Sequence, residues 1–591
     1  MIPAMSDFHF SPRPNRAHEI AWQSWSPEAF ARATREEKPI LLSISAIWCH
    51  WCHVMDESTY SDPRVIATIN ERFIPVRVDN DRRPDINARY NMGGWPTTAF
   101  LTDDGTTLTG ATYLPPEQML RALEQIVAFY AERRGEIAND ATALKVAART
   151  PTSTDRSFDA SAVARVVEGL LAAFDPEYGG FGDTPKFPQS DALELLLLER
   201  RASGDPRYQE MVALTLSKMA DGGTYDHVEG GFFRYSTTRD WSVPHFEKMS
   251  EDHAGLLRVL AQLYLLSPNP QLRATLLSAG GYVRGVLLDP ATHLFAGSQD
   301  ADEAYYALPL EERRKRDAPY VDRTSYTNWT AGLAGAFAAV SFALGDPGFA
   351  TQACAALDAL HTRMRDSNGL LYHYVEPDGE PSVNGLLTDQ VAYLRALLDT
   401  HEVTGEGRFF ERAVPHADAL LAHFEAPDGG CYDRCTDDAA LGSLRVVDRP
   451  IVENGALADT LLRLSVLTDD DTYRHAAERA LRLYADTYKR AGSFAATWAR
   501  AVRRSIARSC CLRIVGTPSS SRALADAALR LPSPFVAVRT IDPSEEEALQ
   551  RLGLETTAVP TAYLCVGTTC SEPLRQAADL PSAYARIAEE R

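Results

Sequence analysis

The chain has no apolar run long enough to cross a bilayer. Its start lacks the basic stretch and apolar core of a secretory signal. Positive charge is in deficit, with 60 Lys and Arg against 80 Asp and Glu and a net charge of −20. A chain of that balance is not drawn to nucleic acid or to an anionic lipid surface, so neither is expected as a partner. Cysteine is sparse, nine in 591 residues and unevenly spread, unlike the disulfide framework of a small secreted protein. These absences predict a cytoplasmic protein, in whose reducing surroundings a close cysteine pair is catalytic or metal-binding and not structural. The composition, 45% hydrophobic and 24% charged, is that of a globular protein. The length predicts three or four domains.

What is present begins with Trp48-Cys49-His50-Trp51-Cys52-His53. It follows the apolar run Pro39–Ile47, which reads as a buried strand. A helix opening next would place Cys49 at its N-terminus, where unpaired N–H groups and the positive dipole end stabilise a thiolate. Cys52 lies one turn on, placed to resolve a mixed disulfide. Asp62-Pro63 starts another helix. Residues 73–79 read as a second strand, and Gly93-Gly94-Trp95-Pro96 leads into a third. Strand, helix, strand with CxxC at the first junction suggests a thioredoxin-like unit, and residues from about 18 to 130 resemble one. The resemblance implies that Pro96 is the cis-proline facing the cysteines. His50-Trp51 stands where thioredoxins have Gly-Pro. A cationic histidine there favours the thiolate, and Trp51 and Trp95 restrict which partner approaches. Two other readings remain open, a metal site from Cys49, Cys52, His53 and His50, or an inert scaffold. No second CxxC completes four zinc ligands, and no metal or other cofactor is indicated.

After the polar, proline-marked stretch 151–155 the texture changes to apolar residues at helical spacing, with about eleven helices between 159 and 490. Short turns at Gly204, Pro268, Gly345 and Gly405 recur at steps of 64, 77 and 60 residues. Between them lie long loops rich in glycine and aromatics. Such a period is a helical hairpin repeat. Six hairpins close into an (α/α)6 toroid with a pocket beneath the long loops; an open solenoid is the alternative. Residues 222–254 carry the densest chemistry: Asp226, His227, Arg234, Tyr235, Trp241, His245 and Glu247. His245 and Glu247 share a face only in an extended segment, where they form a general acid–base pair. Trp241 offers a platform for a sugar ring. Asp300 and Asp302 add carboxylates from the next long loop, the pairing glycosidases use. The structural alternative is that these residues pin loops and cap helices.

The stretches WCHWCH, GGWPTTAFL, GGFGDTPKFP, YDHVEGGFFRYS, PHFEKM and SQDAD together resemble the family named for spermatogenesis-associated protein 20. That resemblance implies a thioredoxin-like domain before a six-hairpin toroid similar to N-acylglucosamine 2-epimerases. The chain departs from the family at Ser250-Glu251-Asp252 and at Val452-Glu453-Asn454-Gly455-Ala456. The expected architecture is an extension (1–17), a thioredoxin-like domain (18–145), a linker (146–157), the toroid (158–504) and a small α/β segment (505–591). In that last segment Cys565 and Cys570 fit a second redox pair or a partner for Cys49, and Cys510-Cys511 fit buried sulfur. The expected function is thiol–disulfide exchange with a protein disulfide or a thioredoxin-system partner, fused to a saccharide-handling toroid. A carbohydrate epimerase or hydrolase acting in the toroid, or a non-catalytic scaffold, are the alternatives.

Overall fold

The computed structural model describes residues 8–147 and 157–589. The start of the expected extension and most of the expected linker lie outside them. The chain divides into two compact units, one of residues 1–152 with 434–448, the other of 153–433 with 449–591. Among the described residues no helix is long and apolar enough to cross a membrane.

The first unit runs α1 (Pro27–Glu36), β1 (Ile40–Ser45), α2 (His50–Glu57), α3 (Pro63–Arg72), β2 (Ile74–Asp79), α4 (Pro84–Tyr90), β3 (Thr97–Leu101), β4 (Thr107–Ala111), α5 (Pro116–Ala147). The sheet order is β2-β1-β3-β4. β1 is parallel to β2, with Ile40 opposite Ile74, and antiparallel to β3, with Ile40 opposite Leu101. All six residues of β1 are buried, because helices cover both faces of the sheet. Alternation sends Ile40, Leu42 and Ile44 to one face with Val76 and Ala99, and Leu41 to the other with Phe100, Met55 and Ile69.

One insertion was not foreseen. Residues 434–448, read as part of the toroid, belong to this first unit. Ala440 and Leu444 join the core of Leu42 and Val76. The Ser443 amide donates to the Tyr90 hydroxyl at 2.7 Å, and that hydroxyl donates to the Gly105 carbonyl at 2.8 Å. Gly442 adopts φ +56°, and a Cβ there would collide with the Tyr90 hydroxyl and press on Trp25. Gly442→Ala is therefore expected to destabilise this unit by about 1–3 kcal/mol, read as a lower urea midpoint; an unchanged midpoint would count against this account of the seam.

The second unit carries the helical hairpins: α6 (Ala160–Ala173), α7 (Ser190–Ser203), α8 (Pro206–Asp221), α9 (Ser250–Leu266), α10 (Pro270–Tyr282), two short helices α11 (Glu303–Tyr306) and α12 (Leu310–Arg313), then α13 (Thr327–Leu344), α14 (Pro347–Arg363), α15 (Leu387–Thr404), α16 (Gly407–Phe424), α17 (Ile451–Thr468), α18 (Asp471–Leu483) and α19 (Ala496–Ile506). The short turns start helices by one device. Asp205, Asn269 and Asp346 each cap the next helix with the side chain, and each is followed by proline at the first position. Helices α7, α9, α13, α15, α17 and α19 each pack on the next, and α19 returns to α7. That closure makes a toroid and excludes the solenoid. The long loops form short ladders: β5 (Tyr235–Ser236) with β6 (Pro244–His245); β7 (Lys248–Met249) with β8 (Ser298–Gln299) and β9 (Val321–Asp322); β10 (Ser325–Tyr326) with β11 (Tyr372–Val375) and β12 (Ser382–Asn384). A C-terminal α/β segment follows: β13 (Cys510–Val515), α20 (Pro518–Leu529), β14 (Val536–Ile541), α21 (Glu546–Leu552), β15 (Thr561–Val566), β16 (Thr569–Cys570) and α22 (Leu580–Glu589).

Candidate functional sites

In the first unit β1 delivers the chain to the turn Ala46–Cys49, closed by the Cys49 amide on the Ala46 carbonyl at 3.1 Å. Cys49 is the N-cap of α2, and its sulfur accepts the Cys52 amide at 3.2 Å. The two cysteines form a disulfide, and both are buried. Trp51, between them, is 48% exposed and meets Tyr113. The Trp48 indole donates to Asp81 at 2.6 Å and packs edge-on against Trp95 with ring centroids 5.6 Å apart. The Trp95 indole donates to Asn87 at 3.1 Å. These contacts set the loop carrying Pro96, whose peptide bond is cis, against the turn before the cysteines. The zinc reading does not fit, because His53 Nε2 meets the Ile47 carbonyl at 2.9 Å and both sulfurs are in the disulfide. Burial pushes the His53 imidazole below its ordinary range, opposed by Asp56. Beneath α2 a buried bidentate pair ties Asp56 to Arg77, both contacts at 2.9 Å.

In the second unit the toroid surrounds a cavity of about 280 Å³ at the N-terminal ends of its inner helices. Asp191 of α7, Glu251 of α9, Trp329 of α13 and Glu453 of α17 line it, above Glu194, Arg258 and Arg395. These last three are held in ion pairs, Arg395 to Glu194 and Arg258 to Asp399, each at 2.6 Å. Glu453 is pushed up to about 7 by burial and by the charges of Asp433, Glu251 and Asp191. Burial also raises Glu251, opposed by Arg234 and reinforced by Asp191.

The residues expected in the toroid site separate into two groups. Arg234, Tyr235, His245 and Glu247 come together. β5 pairs with β6 so that Tyr235 stands opposite His245, and their rings stack at 4.9 Å. His245 Nδ1 lies 2.5 Å from Glu247 Oε1 in a close contact without hydrogen-bond alignment. Glu247 is fully buried, and no hydrogen-bond donor reaches either carboxylate oxygen among the described residues. Its charge helps raise Asp252 to about 7, behind burial as the main cause.

The other group has structural work. Asp226 is buried between Lys248, at 2.7 Å, and Arg313, at 2.8 Å. His227 meets the Gly222 carbonyl at 3.0 Å. Trp241 has no exposed ring face for a sugar, since it is fully buried with its indole N–H on the Tyr178 carbonyl at 3.0 Å. Asp302 caps α11 by accepting the Tyr305 amide at 2.9 Å. Asp300 is buried and accepts the Ala301 amide at 2.7 Å. Sequence reading missed Asp191, Glu251 and Glu453 as one cluster, because they come from three helices far apart in the chain.

Fold and cysteine geometry define a thioredoxin-like module joined in one chain to a six-hairpin toroid. Residues 12–148 match the family model Thioredox_DsbH, described as a protein of unknown function, DUF255. The chain is similar to human (Homo sapiens) spermatogenesis-associated protein 20, 34% identical over 326 residues that cover 51% of this chain and 41% of that protein. The Mus musculus protein of the same name is 38% identical over 272 residues, 42% of this chain and 34% of the relative. The aligned stretches thus span about two fifths or less of the length of these relatives. Thiol:disulfide interchange protein DsbD of Campylobacter jejuni (strain RM1221) is 30% identical over 90 residues, 15% of this chain and 16% of that protein. Among solved structures, cellobiose 2-epimerase from Spirochaeta thermophila DSM 6192 superposes with a TM-score of 0.47 at 17% identity, over 58% of this chain and 96% of that one.

Proposed function

We propose that the thioredoxin-like unit is a thiol–disulfide oxidoreductase. The observation that carries this reading is the disulfide at the first turn of α2, with Cys49 as N-cap and the Cys52 amide directed at its sulfur. In the reduced state that amide and the helix dipole stabilise a Cys49 thiolate. The thiolate attacks one sulfur of a partner disulfide, and the partner's other sulfur leaves and takes a proton. Cys52 then attacks Cys49, releasing the partner as a dithiol and restoring the Cys49–Cys52 bond. Trp51, exposed at the helix start, is the contact for the partner protein. In an insulin-reduction assay driven by dithiothreitol, the Cys49→Ser variant is expected to fall to the rate of reductant alone, and Cys52→Ser to accumulate a mixed disulfide at Cys49. Equal rates for wild type and Cys49→Ser would overturn the reading.

A second reading rests on the toroid cavity. Its acidic wall suits a polyhydroxylated ligand such as a saccharide, whose hydroxyls donate to carboxylates. Glu453 is half protonated near neutral pH, the state a general acid needs. His245 and Glu247, which are not among the residues lining the cavity, remain acid–base candidates of their own. Calorimetric titration with mono- and disaccharides is expected to give binding that Glu453→Ala and Trp329→Ala weaken; no binding across the panel would remove this reading.

A further inference from the structure

The C-terminal segment repeats the topology of the first unit. Its sheet runs β14-β13-β15-β16, as the first runs β2-β1-β3-β4. β13 is parallel to β14 and antiparallel to β15, and β15 turns antiparallel into β16. The equivalence reaches single residues. Thr517 is the N-cap of α20 and accepts the Ser520 amide at 3.3 Å, as Cys49 accepts that of Cys52 at 3.2 Å. Pro560 precedes β15 as Pro96 precedes β3. Hydroxyls therefore occupy the places of both thiols, and this copy of the fold has no CxxC chemistry.

Its cysteines sit elsewhere, in a row. Cys511 of β13 stands directly opposite Cys565 of β15, and Cys565 stands directly opposite Cys570 of β16. Residues opposite one another in antiparallel ladders put their side chains on one face, about 4.5–5.5 Å apart. Three sulfurs thus cross three adjacent strands in one line. Cys565 and Cys570 form a disulfide, with Cα atoms 4.0 Å apart. Cys570 is exposed at the sheet edge, and Cys511 is a buried thiol at the inner end. Cys510 is not part of the row, since it faces the opposite core of Leu512 and Ile514.

We propose that Cys511, Cys565 and Cys570 form a second thiol–disulfide exchange centre, in which one disulfide shifts along the row and presents a free thiol at the sheet edge. The Cys511 thiolate attacks the Cys565 sulfur. The Cys511–Cys565 bond forms as the Cys565–Cys570 bond breaks. The electron pair leaves on the Cys570 sulfur, which takes up the proton that Cys511 gave up. The count of thiols and disulfides does not change, so no outside oxidant or reductant enters. Opposite pairs on neighbouring strands fall within disulfide reach on both sides of Cys565. The resting bond is Cys565–Cys570, and burial raises the Cys511 thiol to about 11. The thiol released at Cys570 is the one a disulfide-bearing partner meets.

The test is disulfide mapping of the full chain. In Cys570→Ser, mild oxidation with oxidised glutathione is expected to yield a tryptic peptide linked Cys511–Cys565, and Cys511→Ser/Cys570→Ser none. Wild type, equilibrated and then acid-quenched with N-ethylmaleimide, is expected to carry a fraction of chains labelled at Cys570 with Cys511 linked to Cys565. That wild-type measurement stands even where the variant does not fold. The proposal is overturned if Cys511 is always recovered as a free thiol, with Cys565 of the single variant carrying only glutathione or a bond to another chain.

Discussion

Asp226→Ala is expected to lower the stability of the second unit by about 3–5 kcal/mol, the cost of removing one partner from a buried charge cluster. Asp226 Oδ2 accepts from both Lys248 and Arg313, and its Oδ1 accepts the Val228 amide at 3.0 Å. Lys248 has no exposed surface. Its ammonium also donates to the Gly230 carbonyl at 2.8 Å and lies over the rings of Phe233, Tyr282 and Tyr306. Burial already lowers it to about 8 against the pull of Asp226. Without the carboxylate, Arg313 keeps Glu229 at 2.8 Å, whereas the Lys248 ammonium loses its one carboxylate contact in a fully buried site. Urea denaturation followed in the toroid checks this, with Asp226→Asn as the milder change. A loss below about 1 kcal/mol, the scale of an exposed pair, would show that the cluster is not structural.

Glu453→Gln is expected to stabilise the protein at pH 8 and to leave it nearly unchanged at pH 4. The folded state holds this carboxyl up to about 7, from an unfolded value of 4.5. A group whose folded value is raised binds its proton more tightly in the folded state. The chain therefore loses stability through Glu453 as pH rises from about 4.5 to about 7, and the loss is complete above that window. A pKa unit corresponds to about 1.4 kcal/mol; cavity water reduces the full effect, and about 2 kcal/mol is expected. The amide removes the titration, so the two unfolding curves should come together by pH 4 and separate at pH 8. Parallel curves across the range would sink the assignment, and an opposite sign would mean that the glutamate is ionised and paired.

The parts of the fold written in local spacing were legible. The buried run of β1, the N-cap at Cys49 and the Asp-Pro or Asn-Pro starts of the outer helices are signals a few residues long. The pairing of His245 with Tyr235 was not legible, since the spacing of His245 and Glu247 said only that they share a face if the segment is extended. Features assembled from distant stretches were not legible. The cavity collects residues from six helices between 190 and 497, and no spacing marks Asp191, Glu251 and Glu453 as neighbours. Trp241 read as a sugar platform because an indole amid glycines and polar residues suggests a binding loop; its burial depends on the Tyr178 carbonyl, more than sixty residues away. The second thioredoxin-like topology escaped notice because Thr517 and Ser520 erase the motif by which the first is found.

The seam at 434–448 has a practical consequence for anyone dissecting this chain. The thioredoxin-like module is discontinuous in sequence, so a fragment ending near residue 147 is not a whole domain. Such a fragment would leave Tyr90 without the Ser443 amide, and Trp25 and Phe30 without Ala440 and Leu444 against them. It would present that apolar face to water, and an expressed fragment is expected to aggregate or fold poorly for reasons unrelated to its cysteines. A faithful minimal version needs the 434–448 peptide supplied in trans or grafted through a linker. The same geometry makes a proteolytic nick near residue 440 a means of loosening the module without touching Cys49 or Cys52.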